Sequence, residues 1–238
     1  MKNLLTFLVF SSLFVSCEEK IIPALLLEKS IQYHDPRGVW DNSDLLLTLE
    51  QERPDTNVRD QNYIHINNKN DNFELTKLIP NGVILRGIQN GKCIQKHNGE
   101  APSPEIVEQY RLTCERSEMF RNYYTYLYGL PMKLKDPGTI LGDEVLEMSF
   151  QGKVYNTIRV TYEEAVGTDT WYFFFDKETS AMSGYKFYKD ESKNDGEYII
   201  LEGEEVVNGI KIPKKRRWYY NNDDTYLGTD ILVSGKSF

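Results

Sequence analysis

The chain has 238 residues, 40% of them hydrophobic and 27% charged, which excludes disorder as its main state and fits one domain or at most two. Its formal net charge is −8. A nucleic-acid binder presents a basic face, and the one short basic run, Lys214–Arg217, is too small to make one, so no nucleic-acid partner is expected. With 11 Phe, 16 Tyr and 3 Trp, the composition favours strands and large buried side chains.

In chain order, the first element is a targeting segment. Lys2 precedes an apolar run from Leu4 to Val15. As a helix it is about 18 Å long, short of the roughly 30 Å of a bilayer core and of the right size for a signal-peptide core. Ser16-Cys17 then resembles a bacterial lipobox, with Phe14 where that pattern usually has Leu. Lipidation of Cys17 makes the protein a globular body tethered to a membrane, since more than one acyl chain anchors stably. The expected division is a signal peptide over 1–16, a lipidated tether over 17–22 and a single domain over 23–238. Glu18-Glu19 resembles a surface-export signal of Bacteroidota lipoproteins and reads equally well as a solvated spacer. The location is thus an outer membrane lipoprotein, facing the periplasm or the cell surface.

Ile21 to His34 predicts a helix, with Pro23 in its first turn and Ala24, Leu27, Ile31 and His34 on one face. Asp35-Pro36 ends it. From Leu45 to Gln95 short strands alternate, with Asn81-Gly82 and Asn90-Gly91 as hairpin turns. Pro102 to Pro131 predicts the longest helical stretch. It is capped by Ser103 with Pro104 at the first helical position, and a break is permitted near Glu115–Glu118. From Thr139 onward nearly everything reads as strand. The predicted class is α+β: a curved antiparallel β-sheet, a half-barrel, covered by two or three helices. Strand–helix–strand alternation is missing, which disfavours a parallel fold.

Once Cys17 is acylated, Cys93 and Cys114 remain. They are read either as a disulfide of an exported protein or as two separate buried thiols. His34, His65 and His97 lack zinc-type spacing, so no metal or other cofactor is expected.

The run Asp169–Asp176 carries the strongest signal. Trp171, Phe173 and Phe175 point one way and Tyr172 and Phe174 the other. Both faces are therefore apolar and both must be covered, by helices on one side and by the curvature of the sheet or a ligand on the other. Tyr185 and Phe187 follow a short turn and are expected across from this strand.

The stretch from Asp169 to Val233 resembles the C-terminal half of outer-membrane lipoprotein carriers of the LolA/LolB type. The residues concerned are Tyr172–Thr179, ending in Asp176-x-x-Thr179, then Tyr185–Tyr188, then Val206–Pro213. The mature chain also resembles an uncharacterised Bacteroidota lipoprotein family of unknown function, through His34-Asp35-Pro36 with Trp40, Gly167–Trp171 and Asp195–Tyr198. These resemblances imply a half-barrel with a helical lid and an apolar cavity for acyl chains or similar ligands. The segment Asn67–Cys93 has no counterpart in the carriers, and no membrane-inserting loop aligns.

The expected protein is thus a non-enzymatic, membrane-anchored lipoprotein that binds a hydrophobic small molecule or acyl chain, of unassigned oligomeric state. Trp171, Phe173, Phe175, Tyr185, Phe187 and Trp218 are expected to line the cavity, with Tyr123, Tyr124 and Leu127 closing it from the helical side. The alternatives are a hydrolase-type enzyme centred on His34, with Asp35 and Trp40 beside it, and a solid-core structural lipoprotein. Histidine is the usual general base, but neither a nucleophile elbow nor a phosphate loop accompanies it. The run Asn221–Asp224 with Asp230 reads as a polar hairpin or, less simply, a calcium site. Lys214–Arg217 reads as a solvated strand end or a contact for lipid headgroups.

Overall fold

The computed structural model describes residues 21–238; the signal segment and Cys17 lie outside the described residues. The elements are α1 (Pro23–His34), β1 (Asp44–Arg53), β2 (Thr56–Asn67), β3 (Asn72–Ile79), β4 (Gly82–Gln89), β5 (Lys92–His97), α2 (Pro104–Tyr110), α3 (Cys114–Gly129), β6 (Thr139–Leu141), β7 (Leu146–Phe150), β8 (Lys153–Tyr162), β9 (Thr170–Phe175), β10 (Met182–Tyr188), β11 (Glu197–Val207), β12 (Ile210–Tyr220) and β13 (Tyr226–Ser237). All 13 strands join one open sheet in the order β5-β4-β3-β2-β1-β13-β12-β11-β10-β9-β8-β6, with β7 also on β8. Nearly every step in that order is a hairpin. The exceptions are β1 against β13, which joins the two halves of the chain, and β6 against β8, with β7 between them in sequence. At Asn90-Gly91 and Asn208-Gly209 both residues have positive φ, the conformation that makes Asn-Gly the preferred tight turn.

The sheet curls around α3. The Tyr124 ring stacks on Phe73 of β3 at 6.2 Å, while Tyr126, two residues on, meets Trp171 of β9 edge-on at 5.6 Å. Seven strand intervals separate β3 from β9 in the sheet order. In a flat sheet at about 4.8 Å per interval they would lie roughly 34 Å apart. One helix touches both only because the sheet wraps around it. The concave face holds the main core, including Leu45, Leu47, Leu49, Ile64, Ile66, Phe73, Ile158, Phe173, Tyr185 and Ile199.

The two-faced aromatic strand is covered on both sides. Phe173 and Phe175 face the concave core. Phe174 faces outward but is fully buried, in a second cluster with Phe150 and Tyr198. The cover is Phe150 at the end of β7, whose ring lies over Gly184 of β10: a Cβ there would sit 2.4 Å from the Phe150 ring. The sheet thus covers its own convex face at this point. The expected register holds, with Tyr185 opposite Phe173 and Phe187 opposite Trp171.

Four local expectations are corrected. The helical stretch breaks earlier than Glu115–Glu118, at Arg111, whose φ of 49° ends α2. Thr113 then caps α3 by accepting the Arg116 amide. The buried face of α1 is Leu26, Leu27, Ser30 and His34, and Ala24 is exposed, because the helix rolls onto its Leu26 side. The run Lys214–Arg217 lies inside β12, so alternate residues face inward, and Arg216 is buried. Its guanidinium donates to the carbonyls of Pro213 at 2.9 Å and Leu127 at 3.2 Å and lies 3.9 Å from the centre of the Tyr128 ring. A cation is favoured at that C-terminal end of α3. Asp230 is opposite Arg216 on β13, buried, and so separate from the Asn221–Asp224 turn.

A disulfide joins Cys93 to Cys114, with Cα atoms 5.4 Å apart. It ties the edge strand β5 to the first turn of α3.

Candidate ligand-binding site

The residues singled out around His34 form a structural lock. The His34 ring is 1% exposed. Its Nδ1–H donates to the Lys211 carbonyl at 2.7 Å, and its Nε2 accepts the Met182 amide at 3.0 Å. The end of α1 is thereby tied to β12 and β10 together. Burial pushes the imidazole pKa below its ordinary value, consistent with a neutral ring using both nitrogens. The Asp35 carboxylate accepts the amides of Val39 at 3.0 Å and Trp40 at 2.8 Å, folding the chain into the turn that carries Trp40. That indole packs where a Cβ on Gly129 would lie 2.3 Å from it. Neither ring nitrogen of His34 is left to take a proton from a substrate.

The Asp176-x-x-Thr179 motif is a turn staple. Asp176 Oδ1 accepts from the amides of Glu178 at 3.1 Å and Thr179 at 2.9 Å, and Lys153 Nζ donates to Oδ2 at 2.6 Å. The Lys153 contact, followed by the turn amides, holds this carboxyl well below the usual carboxylate range.

A cleft of about 690 Å³ opens between α3 and the concave sheet. It is lined by Gln51 and Arg53 of β1, Asn122, Tyr123, Tyr126 and Leu127 of α3, Trp171 of β9, Phe187 of β10, Glu197 of β11, Trp218 of β12, and Leu227 and Asp230 of β13. Its size is that of an ordinary small-molecule site. Trp171 stacks on Phe187 at 4.7 Å, and Tyr123 stacks on Trp218 at 6.3 Å across the helix–sheet gap. A further space of about 400 Å³ shares Asn122, Tyr126 and Trp171, so the trough continues along α3 toward β8. The hydroxyls of Tyr126 and Tyr162 are hydrogen-bonded there.

Five of the nine residues expected to form the cavity are on its wall: Trp171, Phe187, Trp218, Tyr123 and Leu127. Phe173, Phe175 and Tyr185 are 0% exposed and belong to the packed core. The physical reason is the position of α1. Met182, opposite Phe175, bonds His34 of α1, so this end of the strand pair is sealed, whereas the Trp171–Phe187 end opens to the cleft. Tyr124 lines an adjoining pocket of about 430 Å³.

The polar members of the wall were not read from the sequence. Asn62 Nδ2 donates to Gln51 Oε1 at 3.0 Å, and Gln51 Nε2 donates to Asp230 Oδ1 at 2.8 Å. Burial pushes the carboxyls of Asp230 and Glu197 upward, which makes their charged forms unfavourable against the cleft. A signal existed: Leu45, Leu47, Leu49 and Gln51 alternate on one face of β1, so its inward side turns polar where the cleft begins. Among the described residues, no cluster of three or more His, Cys, Asp or Glu side chains is placed to hold a metal, and no helix is long and apolar enough to cross a membrane.

An open antiparallel sheet curled around a helix defines a LolA-like fold. Over 91% of this chain the structure is similar to that of a LolA superfamily protein from Nitrosomonas europaea, at a TM-score of 0.51 and 11% identity, covering 93% of that chain. A DUF1329 family protein from Desulfovibrio piger is similar over 90% of this chain and 92% of its own, at a TM-score of 0.45 and 9% identity. No match was found among curated proteins. Residues 2–235 match a family of unknown function, DUF6503, and the chain belongs to that family.

Proposed function

We propose that this protein is a non-enzymatic lipoprotein, anchored through Cys17 to the outer membrane on its periplasmic or surface side, that holds a hydrophobic, acyl-chain-like ligand between α3 and the sheet. The observation that carries this reading is the cleft of about 690 Å³ walled by Trp171, Phe187, Trp218, Leu127 and Leu227. The aromatic and aliphatic stretch of that wall takes a chain that water does not solvate well. The LolA-like fold is compatible with it, although fold alone does not assign function. A hydrolase centred on His34 is disfavoured, since both ring nitrogens are engaged by backbone groups.

The test uses the uncharged dye N-phenyl-1-naphthylamine, whose emission rises in apolar surroundings. The reading expects saturable emission enhancement that dodecan-1-ol displaces. It also expects loss of that enhancement in Leu227→Glu, which puts a charge on the cleft wall. Absence of dye binding, together with no lipid recovered by extraction after gentle purification, overturns the proposal. The lipid anchor is read separately, from the mass of the N-terminal peptide with and without Cys17→Ser.

A further inference from the structure

The pocket of about 430 Å³ beside the cleft has a different chemistry. Its wall includes Arg53, Lys77, Arg86, Arg111 and Arg116 and has no Asp or Glu, in a chain whose net charge is −8. Lys77 is paired with Asp60 outside that wall, at 2.7 Å. No carboxylate on that wall compensates the arginines, although the Asp230 charge on the neighbouring cleft wall acts on Arg53. Arg86, 6% exposed, donates to the carbonyls of Tyr110 at 2.8 Å and Arg111 at 3.2 Å, which are neutral acceptors. Its guanidinium lies 5.0 Å from the centre of the Phe120 ring, and that of Arg116 lies 5.4 Å from the same ring. Burial, and then the neighbouring Arg116 charge, both work against the Arg86 cation. The Nε of Arg116 is buried and has no hydrogen-bond partner.

Two guanidiniums held over one ring with no carboxylate between them repel each other. A buried N–H without an acceptor is costly as well. An anion entering the pocket relieves that repulsion. The pocket also adjoins the apolar cleft: Gln51, Arg53 and Tyr123 line both spaces. A basic recess that shares a wall with a greasy trough matches a molecule with an ionised head and a long tail. A free inorganic anion would use only the recess.

We propose that the two spaces together hold one anionic amphiphile, its chain along Trp171, Phe187 and Trp218 and its carboxylate or phosphate head on Arg53, Arg111 and Arg116. This rests on the apolar reading of the cleft and adds the charge of the ligand to it.

The experiment is displacement of N-phenyl-1-naphthylamine by dodecanoate, by dodecyl phosphate and by dodecan-1-ol at matched chain length, with inorganic phosphate alone as a fourth arm. Each is run on the wild-type protein, on Arg53→Gln and on Arg116→Gln. Arg53 is exposed, so its replacement leaves the fold intact, and circular dichroism checks both variants. At low salt at least one anionic amphiphile is expected to bind about tenfold more tightly than the alcohol, the scale of one charge-assisted contact. The better of the two identifies the head group. Each variant is expected to remove most of that advantage, and Arg116→Gln, which lies off the cleft wall, is expected to leave alcohol binding unchanged. Equal binding of acid, phosphate ester and alcohol, unaffected by either variant, overturns the anionic head while leaving the apolar cleft standing. Binding of inorganic phosphate as strong as that of dodecyl phosphate overturns the amphiphile in favour of a plain anion site. Failure of every chain and of the dye overturns both readings.

Discussion

Phe150 and Phe174 lie face to face on the convex side of the sheet, ring centroids 4.2 Å apart and planes 5° from parallel. They belong to different strands, β7 and β9, and their stack is possible because Gly184 of β10 leaves room. A Cβ at that position would meet the Phe150 ring at 2.4 Å and the Ile199 carbonyl oxygen at 2.8 Å. The second of these is backbone and does not move aside. Gly184→Ala is therefore expected to cost about 1–3 kcal/mol through overpacking, and Phe150→Ala about 3 kcal/mol through the lost burial and the void. Urea unfolding of both variants checks this. A loss below about 0.5 kcal/mol in each, the range of ordinary surface substitutions, would show that the convex cluster is not part of the stable core.

His34 supplies a pH dependence. Burial lowers its pKa from the ordinary value, so below about pH 6.5 the unfolded chain binds a proton that the folded chain does not. The contribution of the ring is complete above that pH and declines as the pH falls toward the folded pKa. The measured quantity is the difference in unfolding free energy between wild type and His34→Gln from pH 8 to pH 5. This difference is expected to shrink on acidification. At pH 8 the variant is expected to be weaker by about 1–3 kcal/mol for each of the Met182 amide and Lys211 carbonyl left without a partner. A difference that stays constant across the range contradicts the neutral, doubly bonded ring.

The three tryptophans divide between the cleft and the core. Trp171 and Trp218 line the cleft, whereas Trp40 is 3% exposed and sits against Gly129, away from it. A brominated acyl chain quenches indoles it touches. In variants that keep one tryptophan and replace the other two by Phe, dibromododecanoate is expected to quench Trp171 and Trp218 and to leave Trp40 near its starting intensity. Equal quenching of all three would place the chain elsewhere.

The disulfide between Cys93 and Cys114 closes a loop 21 residues in sequence separation. In the chain-entropy account its removal costs about 3 kcal/mol. Replacing both residues by Ser is expected to lower the urea midpoint accordingly. Because the bond joins β5 to α3, amide exchange is expected to rise first in β4 and β5. Unchanged stability would mean that helix–sheet packing alone holds that wing.

Much of the local structure was legible. Pro23 and Ser103-Pro104 start helices, Asn-Gly makes two of the tight turns, and strict alternation marks β1 and β8. The two apolar faces of β9 required cover on both sides, and the alternation from Trp171 to Phe175 was sufficient to say so. The wall of the cleft was half legible: Trp171 and Phe187 are on it, but their strand neighbours Phe173 and Tyr185 are not. Alternation assigns a face, and these four share one. It does not say how far along that face a helix from elsewhere reaches, and here α1 seals the Met182 end. For the same reason Lys214–Arg217 read as a solvated run, because nothing local records that α3 presents its terminal carbonyls to Arg216.

The sequence by itself determined an antiparallel, helix-covered sheet and an aromatic strand with no face suited to water, since hairpin turns and side-chain alternation act between near neighbours. The tertiary structure alone decided which aromatic residues fill the core and which border a cleft. It also decided that Arg53, Arg86 and Arg116, from β1, β4 and α3, share one recess. Those outcomes depend on the curl of a sheet that brings strands seven places apart onto one helix, and curvature is a sum over many pairings that no short stretch of sequence contains.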